Sequence, residues 1–380
     1  MGVGGRTMVG FISSSPKKTP MSKPTRPAAK LRQISIRNYK GIENVELALP
    51  GPRMEADPDV MVIGSQNGLG KTSILECCSL LLSTLTEDPE QWRFLAETRE
   101  WPVDLPDLLV RAGAEQFKLD GKISLEDRQC SVSSSLNRQG EWKSYGKKLE
   151  KAREAFDATE KSKGIGRELV GAISGMSADP VLAESFLFFH SYRKVMEGHI
   201  ELGMMADESS YDLPYWRSRW RRYDSSMSSF KVIILRSLMQ RAGLFEVPEV
   251  GDSSTAIDKL NDLLKIYADG TISKKLRPRA DNTVEFRIDP NRGGDSFTFD
   301  GLSSGQKEII STLFLIWHYT QERPSVVLID EPELHLNAQW HRRFVNTLLD
   351  LAPHNQYVVA THSTDVMDSV DEDRRLLLEE

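Results

Sequence analysis

From Leu31 the chain alternates apolar and polar positions through LRQISIRNYKGIENVELALP, a period of two that predicts two half-buried strands around a turn at Lys40-Gly41. The next apolar run, VMVIG, is continuous; it leads into a Gly-rich turn and then KTSILECCSLLLSTL, whose apolar residues have helical spacing. EQFKLDGKISLED and QCSVSSSLN alternate again, as a hairpin would. Tyr145 to about Gly175 is charged and reads as helical, and ESFLFFHSY holds a short apolar run suited to a buried strand. Helical texture returns from Tyr211 to about Leu276. It is clearest in AIDKLNDLLKIYADG, which Gly270 is expected to close. TVEFRIDP and DSFTFDG revert to strand texture, and RRLLLEE supplies one last strand. No internal repeat or sustained heptad interrupts this order.

Composition narrows the picture. A chain of 380 residues suits two domains, or one large domain with an insertion. The formal charge of −6 gives no global nucleic-acid signature, so any such surface must be a local patch. Three cysteines, Cys77 and Cys78 among them inside the helix after the Gly-rich turn, form neither a disulfide framework nor a zinc pattern. The longest apolar runs are too short to cross a bilayer and no signal peptide is evident, so a cytoplasmic protein without membrane contact is expected. Residues 1–30 contain no acid and are rich in Gly, Ser, Pro, Lys and Arg. They read as a disordered basic arm, or as upstream sequence if translation starts at Met8 or Met21.

The stretch VIGSQNGLGKTSIL, from Val62 to Leu75, stands where strand, loop and helix follow one another, the context a P-loop requires. Loop and helix N–H groups would cradle phosphates, with Asn67, Gly68 and Gly70 in the turn. Lys71 would reach the β- and γ-phosphates, and Thr72 would ligate Mg²⁺. The usual first glycine of this loop is replaced by Ser65, with Gly64 one residue earlier. A second apolar strand, within PSVVLIDEPELHLN, ends in Asp330 and Glu331. Asp330 at the strand end suits the Mg²⁺ shell, and Glu331 can polarise an attacking water.

Leu302-Ser303-Ser304-Gly305-Gln306 matches the ABC signature LSGGQ, with Ser304 in place of its first glycine. A Ser hydroxyl and a helix N-terminus can face an anion, although Ser-Ser-Gly is also ordinary capping chemistry. In QYVVATHS an apolar strand delivers His362. In this order the motifs resemble an ABC-class ATPase head of the RecF/SMC/OLD branch. LRQISIRNYKGI is similar to that branch's opening strand, and IDEPELHLN to the DEPE-x-HLHP of OLD-type ATPases, with Asn337-Ala338 in place of His-Pro. The resemblance covers Leu31 to about Asn137 and Asn282 to Glu380, with LFFHSYRKV a faint trace between.

It implies an α/β fold, an ABC-type P-loop head with a mixed sheet and an inserted, mainly helical lobe. The expected division is 1–30 arm, 31–140 first half of the head, 141–281 lobe and 282–380 second half. It also implies ATP and Mg²⁺ as cofactors, Lys40 near the phosphates, and His362 as the switch histidine. Ser303, Gly305 and Gln306 would act on nucleotide held by a second copy, in an ATP-sandwich dimer. About 230 residues separate Thr72 from Leu302, too few for a long coiled coil. The chain stops with RRLLLEE, so the TOPRIM nuclease domain of full-length OLD proteins is not expected.

The functional expectation is a dimeric ATPase switch of a bacterial anti-phage system, acting with a separate effector nuclease or toxin. The alternatives are a RecF-like DNA-binding repair ATPase and a scaffold that holds ATP without turnover, which Glu331 argues against. YWRSRWRRYD places Trp216 with Trp220, and Arg217 with Arg221, on common helical faces. It suits a protein interface, a DNA or RNA contact, or structural packing alike.

Overall fold

A computed structural model describes residues 28–378, apart from 55–56, 66–67, 87–91, 93–94, 96–103, 126–127, 157–164, 199, 202–227, 244–252, 322 and 335. The alternating segments form one antiparallel sheet. Strands β1 (Ala29–Tyr39) and β2 (Ile42–Ala48) pair as a hairpin, with Lys40 in the left-handed region at φ 47°. After β3 (Asp59–Gly64), β4 (Gln116–Leu125), β5 (Arg128–Asn137) and β6 (Trp142–Lys147) extend that sheet in the order β2-β1-β4-β5-β6. Phe117, Leu119, Ile123 and Leu125 of β4 face the core while polar residues take the other face, as period two demands.

The continuous apolar runs behave differently. With β7 (Val181–Leu182), β8 (Phe186–Phe189), β15 (Val326–Asp330), β16 (Gln356–Thr361) and β17 (Arg375–Leu377), β3 forms a six-stranded sheet in the order β17-β3-β16-β15-β8-β7. All its pairings are parallel except β7 with β8. Both faces are buried, and alternate residues serve two cores. Ile63, Phe188, Leu328 and Val358 join one core with helix α1 (Lys71–Ser83) and the antiparallel sheet. Val62, Phe189, Ile329 and Val359 join the other. Small strands complete the chain: β9 (Ile200–Glu201), β10 (Gly270–Ile272), β11 (Arg277–Pro278), β12 (Thr283–Glu285), β13 (Arg287–Pro290) and β14 (Phe297–Thr298).

The remaining helices are α2 (Leu105–Leu109), α3 (Leu149–Ala155), α4 (Ile165–Ile173), α5 (Ser229–Arg241), α6 (Ser253–Tyr267), α7 (Ser304–Thr320), α8 (Ala338–Leu351) and α9 (Thr364–Met367). Helices α5, α6, α7 and α8 all contribute to the second core. The central sheet thus stands between the helix that follows the Gly-rich loop and the helix that carries the LSSGQ motif. Among the described residues no helix is long and apolar enough to cross a membrane.

Four expectations change. The span 141–281 is not a lobe apart from the head: β6 closes the antiparallel sheet, β8 is an inner strand of the parallel sheet, and α6 packs on α7. Tyr145 falls in β6 rather than a helix, because its partner strand β5 offers an unpaired edge. Helix α6 ends at Tyr267, and the residue with positive φ is Asp269, at 48°; Gly270 already belongs to β10. There a Cβ would stand 2.6 Å from Ile288, so the glycine serves strand packing and not the helix end. TVEFRIDP divides at Phe286 into two strands of different sheets.

Candidate functional site

Because β3, β16, β15 and β8 run parallel, their carboxyl ends share one edge, where the loops of open α/β sheets gather ligand-binding groups. The loop after β3 turns through Gly68 (φ 89°) and Gly70 (φ 84°), left-handed positions that a side chain disfavours. Gly70 is the residue before α1, and a Cβ there would lie 3.0 Å from Ile42, so the loop is wedged against the β1–β2 hairpin. No side chain caps α1, which suits an anion at its N-terminus. Lys71, the first helical residue, is buried and donates to the Ser65 hydroxyl at 3.0 Å and carbonyl at 3.3 Å. Ser65 therefore stands in for the missing glycine by accepting the lysine. Asn67 lies outside the described residues, as do Arg217, Arg221 and the rest of YWRSRWRRYD.

Opposite the loop, Thr72 donates from its hydroxyl to Asp330 Oδ2 at 2.8 Å. Asp330 is fully buried, and its Oδ1 has no hydrogen-bond partner among the described residues. Burial pushes its carboxyl up to about 6; the Thr72 hydrogen bond opposes this, the Glu331 charge adds to it, and Arg193 opposes it. Burial also lowers the Lys71 ammonium, with Glu331, Asp330 and Glu333 resisting.

Glu331 follows in a left-handed conformation, φ 45°, and its N–H donates to the Ala360 carbonyl at 2.8 Å. Its Oε1 lies 3.3 Å from His362 Nε2. The same imidazole meets Lys71, with Nζ 2.9 Å from Nε2. Lys71 and Thr72 of α1, Asp330 and Glu331 at the end of β15, and His362 just after β16 thus meet in one cluster.

Lys40, which the resemblance implies to approach the phosphates, has a contact within its own chain. Its ammonium lies 2.8 Å from both oxygens of Glu76 in α1, where Tyr39 also donates at 3.1 Å. Glu76 is buried, and a buried carboxylate needs such a counterion. Ser303 and Gln306 form a capping box at the start of α7: the Ser303 hydroxyl accepts from the Gln306 N–H, and Gln306 Oε1 accepts from the Ser303 N–H. Gln306 Nε2 donates to the Tyr267 carbonyl at 2.8 Å, and Gly305 is buried beside them. These contacts leave the three signature residues outside the Lys71–His362 cluster of the same chain.

Sequence reasoning missed two groups. Glu333 Oε1 accepts from the N–H groups of His362 (2.6 Å) and Ser363 (3.2 Å), holding the turn that carries the histidine. The repeated acid in DEPE was its only signal. Arg193, buried in the segment after β8, donates to the Asp330 carbonyl at 2.7 Å and pairs with Glu308 of α7. LFFHSYRKV hinted at Arg193; nothing marked Glu308.

Residues 206–368 match the family described as "AAA domain, putative AbiEii toxin, Type IV TA system". The chain is 28% identical over 99 residues to the "Retron Vc95 probable ATPase" of Vibrio cholerae serotype O1 biovar El Tor, a match to 23% of this chain and 19% of that relative. In fold it is similar to an SMC head crystallised with the C-winged helix domain of ScpA, at TM-score 0.50 and 11% identity, covering 90% of this chain and 92% of that one. Motif order, the partial family match and the head fold support an ABC/SMC-like ATPase.

Proposed function

We propose that the chain binds ATP with Mg²⁺, hydrolyses it, and serves as a dimeric switch that controls a separately encoded effector in bacterial anti-phage defence. The observation that carries this reading is the convergence of Lys71, Thr72, Asp330, Glu331 and His362 at the carboxyl edge of one parallel sheet. Lys71 and the loop N–H groups bind the β- and γ-phosphates. The buried Asp330 carboxylate, with one oxygen on Thr72 and the other unpartnered, fits a divalent cation whose remaining ligands are phosphate and water. Bound there, Mg²⁺ supplies charge neutralisation for the phosphates. Glu331 orients and polarises the attacking water, and His362, held by Glu333 and Glu331, contacts the γ-phosphate.

The signature supports a composite site. Ser303, Gly305 and Gln306 open a helix packed on the far side of the sheet from α1, which supports reading them as partners of a second copy's nucleotide rather than their own. The retron relative favours a defence role, and the SMC head seen with ScpA favours a protein partner. Lys71→Ala tests the core of the reading. Loss of ATP binding by isothermal titration, with fold retained, is the expected result; unchanged affinity would remove the phosphate cradle from the mechanism.

A further inference from the structure

We infer that Arg193 is a positioning residue for Glu331, and that it takes its anchor from Glu308 on the helix carrying the signature. The inference rests on reading Glu331 as the water-activating base. Glu331 has φ 45°, a backbone conformation disfavoured for an L side chain. Such a conformation persists where its surroundings over-determine it. Here the peptide between Asp330 and Glu331 is held on both edges. Its carbonyl accepts from Arg193 Nη1 at 2.7 Å, and its N–H donates to Ala360 at 2.8 Å. The Ala360 bond comes from the neighbouring strand β16 itself, whereas the Arg193 bond comes from a segment 137 residues away in sequence.

Arg193 ties three elements together. Nη1 also donates to the His190 carbonyl at 2.8 Å, just past β8, while Nη2 lies 2.7 Å from Glu308 Oε1 in α7. Both charged residues are buried, Arg193 at 5% and Glu308 at 5% exposure. A buried ion pair is weak stabilisation compared with apolar packing of the same volume, so stability alone does not account for it. A planar guanidinium is suited to the task because its fork can face a carboxylate and carbonyls at once. The result is a mechanical path: Glu308 seats Arg193, Arg193 sets the Asp330–Glu331 peptide, and that peptide aims Glu331 toward His362. A shift of the signature helix is thereby felt at the water-activating carboxylate with no direct contact between them.

The test compares turnover and equilibrium ATP binding for Arg193→Gln with Glu308→Gln, made together so that neither charge is left buried alone. Expected is ATP affinity close to wild type with kcat lower by roughly 10- to 100-fold, the scale of a misplaced catalytic group. Arg193→Lys, which keeps the charge opposite Glu308 but loses the fork, should fall between the two and gives the same comparison should the double variant not fold. Epistasis separates positioning from general damage. In a Glu331→Gln background, the Arg193 change should cost little further turnover, because it acts through Glu331. Equal losses in both backgrounds, or wild-type kcat in Arg193→Lys and the double variant, overturn the inference. Wild-type turnover by Glu331→Gln alone would instead remove the reading on which it rests.

Discussion

At the scale of single residues, Asp330 illustrates how a binding carboxylate weakens the fold that holds it. Its folded pKa is raised to about 6 by burial, above the ordinary value of 3.8. A raised pKa means that the native state loses stability as pH rises through that folded value, and regains it as the group is protonated below it. Asp330→Asn should therefore stabilise the nucleotide-free protein near pH 7 by an amount on the order of 3 kcal/mol, while abolishing turnover. Differential scanning fluorimetry across pH 4 to 8 checks this: the gain in Tm should be largest above pH 7 and vanish near pH 4. A gain that does not vary with pH would assign the effect to packing. His190 works the other way. Burial takes it down to about 4, with Arg193 adding to the effect and the Asp179 carbonyl opposing it. Its contribution is complete above about 6.5 and is lost as pH falls toward 4. His190→Gln should flatten that acid limb while leaving the alkaline side unchanged. Glu331→Gln belongs here too: ATP affinity should be kept and hydrolysis reduced by roughly two to four orders of magnitude.

At the scale of elements, α7 raises the question whether Ser303 serves its helix or a phosphate. The capping box accounts fully for Ser303 and Gln306 as local chemistry, worth about 1 kcal/mol. Substitution can separate the two roles, because Asp caps a helix as well as Ser does but carries a negative charge. Ser303→Asp should leave Tm near wild type and reduce ATP turnover by about 10²-fold or more, as expected when an anion-facing donor becomes an acceptor. Wild-type turnover in Ser303→Asp would return the motif to capping alone. The same helix also carries Glu308, whose buried ion pair with Arg193 reaches the Asp330 carbonyl.

At the scale of the molecule, the sheet that separates α1 from α7 raises the question of how many chains an active site needs. Their apolar faces belong to different cores on opposite sides of the central strands. Ser303→Arg and Lys71→Ala proteins should each be inactive, while a mixture should recover part of the activity if subunits exchange and one composite site can fire alone. Light scattering alongside the assay reports whether the heterodimer forms. A wild-type protein that remains monomeric with ATP, yet loses turnover on Ser303→Arg, would place the signature's action within one chain.

Features governed by short-range pattern can be read directly from the residue order. Period-two alternation marked β1, β2, β4 and β5, because one face of those strands meets the core and the other meets water. Continuous apolar runs marked β3, β15 and β16, because strands buried on both faces leave polar residues only at their ends. The cluster of Lys71, Thr72, Asp330, Glu331 and His362 was legible for that reason: Asp330 ends such a run, Glu331 and His362 directly follow one, and Lys71 and Thr72 come after the Gly-rich loop into which β3 leads. Tertiary structure alone decided what depends on partners distant in the chain. Lys40 turned to Glu76 because a buried carboxylate in α1 required a cation. Segment 141–281 yielded β6 and β8 to the head because sheet edges seek hydrogen-bonding partners wherever the chain can supply them. Arg193 found Glu308 and the Asp330 carbonyl across 115 and 137 residues respectively, a pairing fixed by burial and charge in three dimensions and invisible to any local pattern.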